Sequence, residues 1–168
     1  LPAQDVLKFL SELVAGVSET EEVDIFQALG RIVAKDVISP IDVPPHDNSA
    51  MDGFAFNGQQ LSSHAALTLK LVGTALAGKA WQGKIGPGEC VKIMTGAIMP
   101  DGLDTVIPQE LCQSISAESI QLDGALLKAG DNRRHRGEDI AKGKPALLQG
   151  ARITPAAAGL LASLGLPT

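Results

Sequence analysis

The chain has 168 residues, a formal net charge of −5 and a hydrophobic fraction of 45%, which is enough for one domain or two small ones with modest cores. One Trp, four Phe and no Tyr, in an acidic chain, argue against a nucleic-acid surface, which needs basic grooves and stacking platforms. No apolar run approaches the roughly 18 residues of a membrane-spanning helix, so we expect neither a membrane nor a nucleic acid as partner.

The first predicted element is an amphipathic helix within residues 1–20. Val6, Leu10 and Leu13 recur at helical spacing, and Pro2 suits a helix start. The apolar stripe of this helix needs a covering surface, so we expect it to be either exposed or packed against a neighbouring chain. After a charged stretch, Val23–Ile25 alternates like a short strand.

The middle of the chain has the pattern of β-structure. Prolines 44 and 45 indicate a stiff, extended crossing into a new lobe. Leucines at 67, 69 and 71 alternate with polar residues and predict a strand, and further strands are predicted at 91–94 and 105–107. Asp123–Gly124 between two apolar triplets predicts a hairpin over residues 120–127.

The chain ends in a second predicted helix. Thr154 suits the N-cap, Pro155 the first helical position, and Gly165 the C-terminal stop. The order of elements predicts an α+β fold, mainly β: a small discontinuous α/β domain over residues 21–43 and 141–168, with an inserted β-rich, barrel-like lobe over residues 44–140, plus the N-terminal helix.

The densest polar segment lies at residues 46–54. It places Asp47, Asn48, Ser49 and Asp52 within six positions, a set that suits a hard cation or an oxyanion. The alternative is a turn in which these side chains bond their own backbone.

A second segment, residues 130–139, concentrates three arginines in an acidic chain. Arg133, Arg134 and Arg136 offer planar forks for phosphate or another oxyanion, and Glu138 and Asp139 follow them directly. The alternative is a solvated run of charges that pair with one another. Because successive residues of a strand alternate sides, Arg133 and Arg134 need not face the same site.

A third segment, Met94–Ala97, follows a predicted strand and carries the hydroxyl of Thr95 and the free backbone of Gly96. It suits an anion-binding loop or an ordinary turn. The sequence contains no phosphate-binding G-x-x-x-x-G-K-[ST], no G-x-S-x-G, no H-E-x-x-H and no C-x-x-C. The residues alone therefore lead to an anion or metal site built from loops.

Three blocks of this sequence resemble the molybdopterin molybdenumtransferases, the MoeA family. They are residues 39–44 with 47–55, where Phe54 stands in place of the usual Tyr; residues 93–97 with 100–102; and residues 136–140. Residues 159–165 also match, so the resemblance extends over nearly the whole chain. Family members are at least about twice this length, so the resemblance implies an N-terminal region that lacks a pterin-binding domain and a C-terminal domain.

The resemblance implies an enzyme that inserts molybdenum from molybdate into adenylated molybdopterin, releases AMP and requires Mg²⁺. It implies a homodimer in which this lobe and the partner's missing domain form the cleft, so that the chain alone is inactive. In the family the first helix packs toward the missing domain.

Site residues carry over by position. The resemblance implies catalytic roles for Asp52, Asp139 and Thr95. It implies Mg²⁺ contacts from Asp52, Asp139 and Glu138. It implies binding of substrate or oxyanion by Asn48, Ser49, Gly96, Arg133, Arg134 and Arg136.

Two alternatives remain. One is a gephyrin-like scaffold module, and the other is a non-catalytic lobe that binds an oxyanion or a metal. Cys90 and Cys112 form no C-x-x-C pair, which is typical of reduced thiols and favours a cytoplasmic protein.

Overall fold

A computed structural model describes residues 2–61 and 66–168. The chain forms two compact units, one of residues 1–37 with 147–168 and the other of residues 38–146. The predicted boundaries, 43–44 and 140–141, fall inside the second unit. The helices are α1 (Ala3–Leu13) and α2 (Pro155–Ser163). The strands are β1 (Val37–Ile38), β2 (Asn48–Ser49), β3 (Gly53–Phe56), β4 (Ala66–Ala75), β5 (Glu89–Ile93), β6 (Thr105–Pro108), β7 (Ser114–Ile115), β8 (Ser119–Asp123), β9 (Arg133–Arg134) and β10 (Pro145–Leu147).

The predicted fold class is confirmed: the protein is mainly β, with an N-terminal helix and a second short helix. A six-stranded sheet of order β6-β3-β5-β4-β8-β7 dominates the second unit. Its neighbours are antiparallel except β4 and β5, which are parallel with an irregular register between Leu71 and Thr74. Two further two-stranded sheets join β1 to β10 and β2 to β9.

Both faces of the six-stranded sheet are packed, because alternate residues of its central strands enter two separate cores. Phe54 and Phe56 of β3 lie in one core with Ile107, whereas Ala55 lies in the other with Val91. All five are at most 1% exposed. The alternation that predicted β4 therefore extends to the neighbouring central strands of the sheet. The strand β3, which the sequence did not predict, begins directly after the polar segment 46–52.

The first unit has its own core, built around α2. Leu161 of this helix packs with Ala28, Val33 and Ile153. Thr154 accepts a hydrogen bond from the Ala157 N–H at 3.2 Å, and the helix ends before Gly165, whose φ is +75°. The predicted second helix and its capping residues are therefore present.

Helix α1 is shorter than the predicted range and has no buried residue. Its apolar side chains are largely exposed: Leu10 at 49% and Leu13 at 63%. Exposure was one of the two outcomes expected from the sequence. Within residues 2–61 and 66–168, no helix is both long enough and apolar enough to cross a bilayer.

Two local predictions are wrong. Residues 120–127 do not form a hairpin, because β8 pairs with β4 and β7, while Asp123 caps a 3₁₀ turn over Gly124–Leu126. Val23–Ile25 is not a strand, because the Asp24 carboxylate accepts the Phe26 N–H and starts another 3₁₀ turn. In both places an aspartate carboxylate accepts a nearby backbone N–H, and this local hydrogen bond favours a turn over a strand.

The two cysteines are free thiols in or beside the Phe54 core. Cys90 is fully buried, and this burial raises the pKa of its thiol to about 12. Burial also raises the pKa of Cys112. Both side chains therefore remain protonated at neutral pH and contribute to packing.

Candidate functional site

Three polar segments that are distant in the sequence meet at β2. This strand pairs antiparallel with β9, with Asn48 opposite Arg134 and Ser49 opposite Arg133. Along its other edge, residues 47–49 exchange backbone hydrogen bonds of 2.9 to 3.0 Å with residues 96–99. The structure therefore brings together the segments that the sequence singled out, and β2 lies in the middle.

Asp52 and Thr95 form a direct contact between two of these segments. Asp52 Oδ1 accepts hydrogen bonds from the Thr95 N–H and from the Thr95 hydroxyl, both at 2.7 Å. The backbone N–H is the larger cause, and the hydroxyl the second, of a pKa of Asp52 below its usual value. Both residues are exposed, so a charged carboxylate is held in a fixed place at the surface.

Ser49 and Gly96 serve the framework itself. Ser49 is 1% exposed, and its hydroxyl donates to the Met51 carbonyl at 2.6 Å while accepting the Met51 N–H at 3.2 Å. Gly96, with φ of +78°, donates its N–H to the Ser49 carbonyl. Asn48 differs from both, because its Oδ1 is buried and has no hydrogen-bond partner among the described residues. A buried polar oxygen without a partner is uncommon in folded proteins.

Arg134 is paired with both acidic residues that follow it. Its Nε donates to Glu138 at 2.5 Å, and its Nη2 donates to both carboxylate oxygens of Asp139 at 2.7 Å. Glu138 also accepts the His135 N–H at 2.7 Å, the main cause of its lowered pKa. Asp139 and then Glu138 raise the pKa of Arg134. These hydrogen bonds join Arg134, Glu138 and Asp139 in one cluster, the Arg134 cluster.

Arg133 and Arg136 have different partners. Arg133 Nε donates to Asp47 at 2.9 Å, and its Nη2 contacts the same oxygen. Arg136 Nε donates to Asp42 at 2.6 Å. Each of the three arginines is therefore paired with a carboxylate. Arg134 pairs within its own run of charges, as in the alternative that the sequence offered, whereas Arg133 and Arg136 pair with carboxylates outside that run.

The alternation along β9 separates Arg133 from Arg134. Arg133 and Arg136 line a shallow cavity of about 320 Å³, whereas neither Arg134 nor Asp52 does. The remaining lining residues are His46, Asp47, Ile98, Met99, Pro100, Asp101, Gly102 and Leu103. The predicted oxyanion-binding arginines therefore do not lie together in one pocket.

The acidic side chains of this region do not form a preformed metal site among the described residues. Within the described parts of the chain, no three side chains of His, Cys, Asp or Glu lie close enough together to hold a metal ion. Glu138 and Asp139 are already bonded to Arg134, while Asp52 uses one oxygen for Thr95. Among the predicted Mg²⁺ ligands, Asp52 has an oxygen without a hydrogen bond to any described residue, whereas Glu138 and Asp139 share theirs with Arg134. Mg²⁺ commonly takes one or two carboxylates from a protein, and phosphate oxygens and water complete its coordination shell.

Two acidic residues that were not among the predicted catalytic or binding residues hold this region together. Asp42 and Asp47 accept bonds from the segment 133–142, which lies 86 to 100 positions further along the chain. Asp47 lies within a segment the sequence singled out, but its partner could not be identified there. Asp42 lies in the family block 39–44, but nothing in the neighbouring sequence predicts that it contacts Arg136 and Lys142.

Comparison with known families gives a match over almost the whole chain. Residues 1–165 match the model described as the MoeA N-terminal region (domain I and II). A molybdopterin molybdenumtransferase of Haemophilus influenzae is 42% identical over 149 residues, which are 89% of this chain and 36% of that protein. A protein of the same name from Bacillus subtilis is 34% identical over 88% of this chain and 35% of its own length.

Two further relatives extend the comparison. Gephyrin of Dictyostelium discoideum is 31% identical over 98% of this chain and 24% of its own length. The crystal structure of a molybdopterin biosynthesis MoeA protein from Pyrococcus horikoshii superposes with a TM-score of 0.86 at 28% identity, covering 99% of this chain and 44% of that one. The chain thus spans about a third of the length of the molybdenumtransferases it matches.

Proposed function

This chain belongs to the MoeA N-terminal region family. We propose that it is the N-terminal region of a molybdopterin molybdenumtransferase. The reaction we assign to the whole protein inserts molybdenum from molybdate into adenylated molybdopterin and releases AMP. The observation that carries the proposal is the meeting at β2 of the three polar segments, residues 46–54, 94–97 and 130–139, which contain or adjoin the blocks that resemble the family. Their polar side chains converge on one framework although the segments lie as far apart as residues 48 and 134.

The geometry supports a role for Asp52 in holding cationic or proton-bearing groups of the substrate complex. Its carboxylate is exposed, and Thr95 lowers its pKa, so it carries a full negative charge at neutral pH. Thr95 uses both its N–H and its hydroxyl on one carboxylate oxygen. The second oxygen has no hydrogen bond among the described residues, and we assign it to the incoming group.

We propose Mg²⁺ as the cofactor of the whole protein, bound through Asp52 and not through a preformed cage. Mg²⁺ neutralises phosphate charge and orients phosphate oxygens when bound. Among its predicted ligands, Asp52 keeps a carboxylate oxygen unbonded, whereas Asp139 has both oxygens on Arg134. Glu138 and Asp139 face this ion with oxygens that already accept hydrogen bonds from Arg134 and from the His135 N–H, so we assign them a smaller share of its binding.

The Arg134 cluster supplies the second part of the proposed site. A guanidinium held by two carboxylates presents its remaining N–H groups in a fixed orientation, which suits phosphate or molybdate oxygens. Asn48 lies directly opposite Arg134 in the β2–β9 pair and has a buried, unbonded Oδ1. We propose that Arg134 and Asn48 together contact the substrate from this face of the strand pair.

This chain spans about a third of the length of the molybdenumtransferases it matches. We therefore place the rest of the site in parts of the whole protein outside these 168 residues. We propose that a homodimer of the whole protein completes the cleft and that the chain alone does not turn over substrate. We also propose the cytoplasm as its location, in keeping with two free thiols.

The test compares the whole protein with residues 1–168 alone. Each is supplied with adenylated molybdopterin, molybdate and Mg²⁺, and AMP release is followed. The proposal predicts molybdate-dependent AMP release by the whole protein and none by the 168 residues. Absence of release by a folded whole protein contradicts the enzyme assignment and leaves the scaffold module that the sequence allowed as an alternative.

A further inference from the structure

The segment 133–142 contains little regular structure of its own. Only Arg133–Arg134 belong to a strand, and Gly137 takes a φ of +70°, which favours glycine. A Cβ at Gly137 would lie 3.0 Å from Asp42 Oδ1. The conformation of this segment therefore depends on what contacts it from elsewhere in the second unit.

Asp42 and Asp47 provide those contacts, and we call this pair the carboxylate clamp. Asp47 accepts the Arg136 N–H at 2.7 Å and the Arg133 Nε–H at 2.9 Å. Asp42 accepts the Lys142 N–H at 2.7 Å and the Arg136 Nε–H at 2.6 Å. Each carboxylate thus takes one backbone N–H and one guanidinium from the segment.

Arg136 is the point at which the two halves of the clamp meet. Its backbone is bonded to Asp47 and its side chain to Asp42. The neighbouring backbone is fixed as well, since Gly137 and Asp139 donate their N–H groups to carbonyls at positions 44 and 43 at 2.9 Å. The segment is therefore held against residues 42–47 at several points.

Both clamp carboxylates are charged at neutral pH. The Lys142 N–H and then Arg136 lower the pKa of Asp42, and the Arg136 N–H and then Arg133 lower the pKa of Asp47. The Asp42 side chain is only 14% exposed. Charge-assisted bonds of this kind are about twice as strong as neutral ones.

The side chains of the Arg134 cluster bond to one another and to the His135 N–H. The cluster as a unit is therefore placed by the backbone of its own segment. Whatever fixes that backbone fixes the direction in which Arg134 and Asp139 face a substrate.

We propose that Asp42 and Asp47 are positioning residues for the proposed reaction, acting through the segment 133–142 on the Arg134 cluster. Arg133 and Arg136 then bind the carboxylate clamp, and Arg134 is the arginine that contacts the substrate. The inference rests on the proposed function. It explains why the three arginines have separate carboxylate partners and do not share one pocket.

The test uses Asp47→Asn and Asp42→Asn in the whole protein, with Asp123→Asn as a matched control. Asp123 also accepts a backbone N–H, from Ala125 at 2.9 Å, but lies at the end of β8. We expect kcat to fall about 10- to 100-fold in each clamp variant, the range expected when reacting groups are displaced by about 1 Å. The control should keep the parent kcat, and all three should keep the parent fold by circular dichroism.

A double variant separates positioning from a general loss of stability. If Asp47 acts through Arg134, then Asp47→Asn lowers kcat little further once Arg134→Gln is present. Fully multiplicative losses in the double variant would overturn the proposal, as would an unchanged kcat in both clamp variants. Non-additivity of this kind indicates residues that act as a unit.

Hydrogen exchange of the backbone amides tests the clamp without an enzyme assay. In residues 1–168, Asp47→Asn should speed exchange of amides 135–139 at least 10-fold and leave those of β3 and β5 unchanged. Equal protection in variant and parent would overturn the clamp even if the whole protein is active. Inactive parent protein with faster exchange in the variant would instead contradict the proposed function alone. Should Asp47→Asn fail to fold, Arg136→Met tests the same segment, because it removes the guanidinium that bonds Asp42 and keeps the backbone N–H that bonds Asp47. Unchanged exchange of amides 135–139 in that variant would overturn the clamp.

Discussion

Thr95 donates two hydrogen bonds to a single oxygen of Asp52, one from its backbone and one from its hydroxyl, each 2.7 Å long. The pair joins the segment after β5 to the segment before β3, 43 positions apart. It fixes an exposed carboxylate in its charged form. The proposed function depends on this carboxylate more than on any other group.

The hydroxyl and the backbone of Thr95 can be separated by Thr95→Val, which keeps the shape and the N–H but removes the hydroxyl. Because both groups lower the pKa of Asp52, we expect that pKa to rise part of the way toward its usual value. Carboxyl-carbon NMR titration measures it in residues 1–168. An unchanged Asp52 pKa in the valine variant would show that the hydroxyl bond contributes nothing in solution.

The clamp predicts how stability depends on pH. The folded-state pKa of Asp47 lies below its unfolded value, so its contribution is complete above about pH 4, the usual Asp pKa, and is lost as pH falls through the folded pKa. Asp47→Asn should therefore be less stable than the parent at pH 7, and the difference in the free energy of unfolding should narrow as the pH falls below about 4. Urea unfolding at a series of pH values measures this. A difference independent of pH would contradict it.

Two glycine-to-alanine substitutions should change stability in opposite directions. A Cβ at Gly53 would lie 1.9 Å from the Ile107 carbonyl oxygen across the β3–β6 pair, so Gly53→Ala should destabilise by about 1–3 kcal/mol or more. Gly159 lies in α2 with open space around it, so Gly159→Ala should stabilise by about 0.4–1 kcal/mol. Thermal unfolding measures both, and a stable Gly53→Ala protein would contradict the pairing of β3 with β6.

The sequence predicts those parts of the fold whose signals are local. Helix α2 follows from Thr154, Pro155 and Gly165 because a cap, a first-turn proline and a C-terminal glycine act within the helix itself. The strand at β8 was predicted, but its partner was not, because pairing with β4 depends on residues about 50 positions away. Propensity gives no information on which of two neighbouring strands will meet.

The candidate site shows the same division. The family blocks are enough to nominate candidate residues such as Asp52 and Thr95. The ion pairs could not, because Arg136 and Asp42 are 94 positions apart and every carboxylate of the region was an equally plausible partner. The alternation of Arg133 and Arg134 was foreseen from strand geometry, and the separate partners of the two arginines agree with it.

Asp139 provides a further prediction on the Arg134 cluster. Asp139→Asn replaces one of the two oxygens that accept Arg134 Nη2 and leaves an exposed side chain of the same size. We expect molybdenum insertion by the whole protein to fall about 100-fold while the thermal midpoint stays within a degree or two, because exposed ion pairs contribute little to stability. A large drop in the midpoint with unchanged insertion would assign Asp139 to the fold alone.

The most direct test of the central claim is the rate of molybdenum insertion by the whole protein carrying Asp52→Asn, measured beside Asp123→Asn. The asparagine keeps the size of the side chain and an oxygen that can accept the Thr95 bonds, but it removes the charge that we assign to the substrate complex. We predict that insertion falls at least about 100-fold, as for the loss of a charge-stabilising group, with the thermal midpoint unchanged. Insertion at the parent rate in a folded Asp52→Asn protein would contradict the account.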